Sequence, residues 1–565
     1  MSRFPDLDLR WLPKRSVELM LPSNVKGFGR TNMIGATMWK RFLLVLILST
    51  FGLLDVPHCD AWEDSSTLSE SSAPVTLSPE HIKAVNRRRR IIVNYDINSG
   101  QPHVFGIDID KWAKFRFAYA DQPGCQIDTM FFCIDGGNLA HYPSKVIPVS
   151  PHPQIKSWLD KGIDCIKVAV DEAHKRGLEA FYTYRMNGSD RTPDFEPARL
   201  PLKEEHPGWL LEGVWWEPGF WDFTVPEVRA HKLDIIRELT ELYDLDGIEL
   251  DFCRTPPFVP LNEGWQHRGA LTDMVRRVRH MLQERGKERG RPYLLSVRVP
   301  PTVPGCHHDG VDIETWAQEQ LIDLVVIGTH SIEVDLDGFR KAVTGTHVKL
   351  YPCMDDSGHS PDGYHRPGLE IERGFFTNWW HQGADGVATF NWGNAPAKMC
   401  EELNFPAGPD SHMVSYNEIG DPATLRYKNK VFVVQRKFGG GWSIPWLIYA
   451  NVCMHAPLPL FTAPGETPAM LTIHIGDDLQ ADAERVVSTK MMLVLSNVGE
   501  EEKVELKLNG ILLPSPAIDK NGWRIYDAKP EYFARGPNLV YVRLPDGQDF
   551  FTIEKLEMRA EYKSE

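Results

Sequence analysis

Between residues 91 and 392 short apolar runs alternate with amphipathic ones. The strand-like runs fall at 91–96, 127–134, 178–185, 246–252, 293–299, 322–328, 348–353 and 386–392. Segments of helical period fill the intervals, clearest at 154–175, 226–243, 266–289, 313–320 and 368–382. Eight apolar strands separated by helices predict an α/β chain folded as a (β/α)8 TIM barrel, expected here over 87–408. Beyond 409 the period changes to two. Val431-Phe-Val-Val-Gln435 and Lys503-Val-Glu-Leu-Lys-Leu-Asn509 alternate or are β-branched, and Asn-Gly and Pro-Asp-Gly turns separate such runs. That texture predicts an all-β sandwich over 409–565.

The first 86 residues break this rhythm. Lys40 and Arg41 precede the apolar run Phe42–Leu54, which is too short to cross a bilayer of ~30 Å but suits the core of a signal peptide. Residues 1–61 therefore read as a leader with cleavage near Ala61, which predicts a secreted or periplasmic protein. Left uncleaved, 42–54 would be a membrane anchor. Residues 62–86, rich in Ser, Glu, Thr and Pro, read as a disordered linker. The run Arg87–Arg90 that follows reads as a solvated basic lead-in to the first strand.

Charge and composition narrow the function. A formal net charge of −15 argues against a nucleic-acid partner, because no basic surface offsets phosphate repulsion. Seventeen tryptophans suit both core packing and carbohydrate platforms. The cysteines are scattered singly, and their spacing assigns no disulfide. Cys306-His-His-Asp309 lacks a distant third ligand, so no metal and no cofactor are expected.

The richest motif is Asp246-Gly-Ile-Glu-Leu-Asp-Phe-Cys-Arg254. On a strand, Glu249 and Asp251 share one face, and in a parallel barrel the chemistry sits at the C-terminal ends of the strands. The other strand ends repeat the pattern, with Asp96, Asn138, Arg185 and Asn187, Arg254, Arg298, His330, Tyr351 with Asp355, and Asn391 with Trp392. A ring of polar and aromatic groups at one rim predicts a substrate site.

Trp221-Asp-Phe-Thr-Val-Pro-Glu-Val-Arg229, followed by Tyr243-Asp-Leu-Asp-Gly-Ile-Glu-Leu-Asp-Phe-Cys-Arg254, resembles the glycosyl-hydrolase-like family 10 barrels. These are secreted relatives of retaining TIM-barrel glycosidases, and the resemblance covers roughly 90–400. It implies a glycoside hydrolase acting on a carbohydrate substrate. Chitinase-type barrels carry a glutamate where this chain has Cys253, so their substrate-assisted mechanism does not transfer.

Hydrolysis of a glycoside needs two carboxyl groups, one to protonate the leaving oxygen and one to attack or activate water. Asp251 is expected to be the exposed catalytic carboxylate. Glu249, deeper and satisfied by Arg185 or Arg298, would orient it. Asp355 is the first choice of partner, with Asp96 and Glu333 behind it. Asp96, Asn138, Arg185, Asn187, Arg254, Arg298, His330, Tyr351, Asn391 and Trp392 are expected to bind substrate, Trp392 as the floor under a sugar ring. The same charges also fit a buried ion-pair layer. The alternative function is a carbohydrate-binding or cell-surface protein that keeps the barrel without hydrolysis.

Overall fold

The computed structural model describes residues 74–96, 108–133, 138–188, 200–214, 218–328, 331–355, 367–393, 395–403, 408, 410–436, 456–546 and 549–563. Eight strands, β1 Ile91–Asp96, β2 Ile127–Cys133, β3 Glu179–Arg185, β4 Gly247–Asp251, β5 Leu294–Val299, β6 Leu324–Ile327, β7 Lys349–Asp355 and β8 Val387–Phe390, close a parallel barrel in chain order. The TIM barrel expected from the alternation is present. Parallel strands covered by helices are buried on both faces, which is why they read as nearly unbroken apolar runs.

The helices follow from their termini. Pro226–Leu242 starts with proline at its first position, and its inward stripe is Val228, Lys232, Ile235, Ile236 and Leu239. The expected single helix 154–175 is two, Pro153–Asp160 and Cys165–Lys175. Gly162 takes φ +71 between them, and the Asp164 carboxylate accepts from the Ile166 and Lys167 N–H groups to restart the helix.

Much of the barrel interior is apolar. Ile92, Phe131, Phe181, Leu294, Leu324, Val326, Tyr351, Cys353, Ala388 and Phe390 form one buried cluster, with the Phe131 and Phe181 rings stacked at 4.5 Å. Gly247 has no room for a side chain, since a Cβ there would lie 2.2 Å from the Phe181 ring. The Asp246-Gly247 step in the motif is thus a packing requirement. Asp246 anchors the start of β4, because its carboxylate accepts from the Ala180 N–H at 2.9 Å, His174 at 2.9 Å and Arg291 at 2.6 Å.

The bottom of the barrel is sealed. The last part of the segment 62–86, expected as a disordered linker, is instead a packed helix, Pro79–Val85. It contributes Val85 to the interior cluster and pins His81 to Asp323 at 2.8 Å. Arg89 is fully buried and forks onto Glu179 at 2.7 and 2.9 Å. This corrects the reading of Arg87–Arg90 as solvated: Arg88 is exposed, but Arg89 is a structural member of the floor. The functional end of such a barrel is the C-terminal end of its strands.

The C-terminal strands are β9 Lys430–Val433, β10 Leu460–Thr462, β11 Ala469–Ile475, β12 Val486–Ser496, β13 Glu505–Leu508, β14 Ile511–Leu512, β15 Ala517–Ile518, β16 Trp523–Ala528, β17 Gly536–Arg543 and β18 Phe551–Tyr562. One antiparallel sheet runs β10-β18-β12-β16-β15 with β9 beside β18, and the other runs β11-β17-β13-β14. Leu471, Ile473, Leu506 and Val540 from one sheet share a core with Met491, Tyr526, Leu556 and Met558 from the other. The two sheets form a sandwich. Among the described residues no helix is long and apolar enough to cross a membrane, and the run 42–54 lies outside them.

Candidate active site at the barrel mouth

Parallel register builds the site from β3, β4 and β5. Thr183, Glu249 and Ser296 are Cα partners in one row, and Arg185, Asp251 and Arg298 in the row above. Their side chains enter the barrel because alternate residues of each strand face inward. Asn94 of β1 reaches the lower row from across the barrel, donating to Thr183 Oγ1 at 2.9 Å and to Glu249 Oε1 at 3.3 Å.

Asp251 is fully buried, not exposed as expected. Its Oδ1 accepts from the Cys253 and Arg254 backbone N–H groups at 3.0 Å each and from Arg298 Nε at 3.1 Å. Arg298 Nη2 donates to Oδ2, completing a two-pronged pair. The backbone turn after β4 and the arginine from β5 together fix the carboxylate in one orientation.

Glu249 lies one layer deeper, and its partners also differ from expectation. Instead of an arginine contact it accepts from Thr183 Oγ1 at 2.9 Å and Ser296 Oγ at 3.4 Å, besides Asn94. Burial pushes its carboxyl up to about 7; the Arg298 charge opposes the shift and the Asp251 charge adds to it. Around neutral pH the mouth thus holds one carboxylate gripped by an arginine and one carboxyl that shares a proton with solution. Two further groups here are buried without a partner among the described residues, the Asn94 Oδ1 acceptor and the Arg298 Nη1 donor.

The remaining expected residues divide by depth. Asp355 closes β7, two residues beyond the expected strand end, and is buried at the upper end of the interior. Tyr351, assigned to the rim, sits low instead. It lies beside Arg89 at the floor, and a Cβ on Gly386 would touch its ring at 2.6 Å. Arg185 and Arg254 are half-buried at the mouth. Asn391 follows β8 with φ 55, and its N–H donates to the Asn94 carbonyl at 3.0 Å. Asp96 ends β1, but its side chain lies outside the described residues, as does His330.

Asn138 and Asn187 are drawn into the scaffold. Asn138 Oδ1 accepts from Trp221 Nε1 at 3.0 Å and from Lys232 Nζ at 3.2 Å. Asn187 accepts from the Trp221 N–H at 3.0 Å and donates to the Pro257 carbonyl at 2.8 Å. Both are buried, so they hold the loop around Trp221 and do not offer themselves to a sugar. Trp392 is also inside, at 1 % exposure. Its N–H donates to the Met354 carbonyl at 3.0 Å and its ring stacks on His412 at 4.2 Å. It supports the mouth from behind and is not an open floor. Glu333 is tied to Gln435, whose backbone N–H it accepts at 3.2 Å.

Sequence reasoning passed over Thr183 and Ser296. The signal was there, since each lies two residues before an arginine already assigned to the rim, on the same strand face. His307 pairs with Glu314 at 2.9 Å and His308 with Asp309 at 2.8 Å. Among the described residues no group of three or more His, Cys, Asp or Glu side chains is placed to hold a metal.

Residues 114–259, which include β4, match the family described as Glycosyl hydrolase-like 10. The chain is 27% identical over 157 residues to the glycosyl hydrolase DigH of Escherichia coli K12, covering 25% of this chain and 35% of that protein. It is 31% identical over 122 residues to the glycosyl hydrolase YngK of Bacillus subtilis, covering 20% and 22% of the two chains. The matched part thus spans about a third or less of these relatives' length. An α-amylase structure from Anoxybacillus aligns over 82% of this chain and 99% of that one, at 14% identity and a TM-score of 0.36.

Proposed function

We propose that this protein is an exported glycoside hydrolase that cleaves O-glycosidic bonds of an oligo- or polysaccharide at the C-terminal mouth of its barrel. The observation that carries the reading is the stacked pair on β4. Asp251 is oriented by Arg298 and two backbone N–H groups, and Glu249 beneath it titrates near 7. Neighbouring carboxyl groups in unlike environments are a common basis of acid–base division of labour. The match of residues 114–259 to a glycosyl hydrolase-like family supports the same class.

In this reading Asp251 is the carboxylate that meets the anomeric carbon or the attacking water. Arg298 keeps it aimed and balances its charge. Asp355, arriving from β7, supplies the second carboxyl, which protonates the leaving oxygen. Glu249 stays neutral around pH 6 and orients Asp251 from below without a second negative charge in the same column. The unpartnered Arg298 Nη1 and Asn94 Oδ1 offer a donor and an acceptor to hydroxyl groups or to an ordered water.

The test is hydrolysis of a polysaccharide panel by the full chain and by Asp251→Asn and Asp355→Asn. Loss of turnover in both variants with retained folding supports the assignment. Turnover that survives Asp251→Asn removes it. One observation favours a second reading, a carbohydrate-binding barrel without hydrolysis. Asp251 is completely covered and paired, as an architectural ion pair would be, and Cys253 stands where chitinase-type barrels place their acid. Glycan binding without turnover on every member of the panel would decide for it.

A further inference from the structure

A cavity of about 510 Å³ opens where the barrel meets the sandwich, far from the mouth. Its barrel wall is the last turn of the helix Leu369–His381, which runs from the end of β7 back towards the start of β8. A helix following a barrel strand runs antiparallel to it, so Trp380 sits at the opposite end of the barrel from Asp251. The other walls come from residues 422–426 and from the segment just after β11.

Its surface is amphipathic in a particular way. Trp380 commits its indole N–H to the Ile419 carbonyl at 2.7 Å, so it can offer the cavity only apolar ring surface, next to Leu425. Two of the three aspartates are already matched. Asp477 pairs with Lys430 at 2.9 Å, and Asp482 pairs with Arg426 at 2.9 Å and the Tyr427 hydroxyl at 3.0 Å. The third, Asp478, only caps the local Ala481 N–H at 3.1 Å, and Arg535 donates only to the Gly476 carbonyl at 3.0 Å. Neither has an ion-pair partner among the described residues. The two lie on the same cavity as one open acceptor and one open donor fork. These charges cancel, which disfavours a strongly anionic or cationic ligand.

We propose that this cavity is a second glycan-binding site, which takes a neutral sugar unit of a longer chain while the mouth works elsewhere on it. An apolar ring surface flanked by one carboxylate and one guanidinium matches a pyranose, with a C–H face and a rim of hydroxyl groups that donate and accept. The volume lies within the ~300–1,000 Å³ range of small-ligand sites. The class of ligand rests on the carbohydrate reading above, but the place rests on the cavity's own chemistry.

The experiment measures binding of maltohexaose, cellohexaose, chitohexaose and xylohexaose to the full chain by calorimetry, with hydrogen exchange as the footprint. Asp251→Asn serves as the mouth variant. Asp478→Asn and Ala423→Trp are the cavity variants, the second filling the void from an exposed helical position. The expected result is binding to at least one hexaose that survives Asp251→Asn and protects residues 422–427 and 476–482. It should weaken about ten-fold or more in both cavity variants, with hydrolysis of a short chromogenic glycoside unchanged. Binding lost in Asp251→Asn without protection at the cavity overturns the proposal and leaves the glycosidase reading standing. No binding of any hexaose overturns it too. Cavity binding in a protein that hydrolyses nothing supports this site and counts against the glycosidase reading.

Discussion

Arg298 of β5 and Asp251 of β4 are Cα partners in parallel register, and the guanidinium closes on the carboxylate with Nε on Oδ1 at 3.1 Å and Nη2 on Oδ2. Both side chains are within 1 % of complete burial. A charge pair this deep stabilises little on balance, because desolvation offsets most of the attraction, yet breaking it is expensive. Its presence at the functional end of the barrel makes sense if the carboxylate must be held ready.

Removing the arginine should therefore cost stability. Arg298→Leu leaves Asp251 buried with two backbone N–H groups and without the guanidinium that pairs with it, and the expected loss is ~3–5 kcal/mol. Asp251→Asn keeps the shape but strands the charge on buried Arg298 and turns one of two acceptor oxygens into an N–H donor. Its melting temperature should therefore fall comparably, while turnover drops ~10²–10⁴-fold where the variant is still folded. Denaturant melts and initial rates on the same preparations check this. Destabilisation by both variants with turnover intact in folded Asp251→Asn would return the pair to pure architecture.

Glu249 gives a pH signature. Its carboxyl is raised from 4.5 to about 7 in the folded chain, chiefly by burial. Stability from the neutral form is complete below the unfolded value and is lost as pH rises through about 7. Glu249→Gln, which imitates the neutral acid, should melt higher than the parent above pH 7, by up to ~3 kcal/mol, with little difference at pH 4. In the orienting role proposed here the variant also keeps most activity at pH 6 and loses the alkaline decline near 7. An inactive, well-folded Glu249→Gln would make Glu249 the proton donor instead.

The strands were legible because burial on both faces leaves little but apolar residues between the turns. β1 matches its expected span, and β4 differs by a residue at either end. Depth within a strand was not legible. Tyr351 and Asp355 belong to one strand, and only the register of β7 against β6 and β8 sets one near the floor and the other near the mouth. Nor could sequence foresee that Asn138 and Asn187 would be claimed by Trp221 and Lys232, which come from a segment more than thirty residues away. Arg89 was hidden for another reason: a basic run reads as solvated until a buried Glu179 on another strand accepts it.

The asparagine clasp makes a stability prediction with no catalytic share. Asn187→Ala removes the acceptor of the Trp221 N–H and the donor to the Pro257 carbonyl, leaving two buried groups unmet. Each orphaned group costs ~1–3 kcal/mol, so the melting temperature should fall clearly. At a temperature where the variant is still folded, kcat on a good substrate should stay within about three-fold of the parent, since no sugar contact is lost. A large fall in kcat with an unchanged melt would restore Asn187 to the substrate site.

Arg254 and Arg185 separate the two readings of the mouth most directly. Arg254 lies just beyond β4, where its own backbone N–H donates to Asp251 at 3.0 Å while its side chain is half-buried at the opening. Arg185 ends β3 as the Cα partner of Asp251, inside the barrel wall. Arg254→Leu keeps the backbone bond and removes only the guanidinium, so it should lower substrate affinity or turnover with a small change in melting temperature. Arg185→Leu takes a positive charge from the row that holds Asp251 and Arg298, and it should destabilise more than it inhibits. Thermal melts paired with binding or rate measurements on the two variants decide. The reverse order would make Arg185 the contact to substrate and Arg254 the support, and a collapse of both would assign the charged rows to architecture alone.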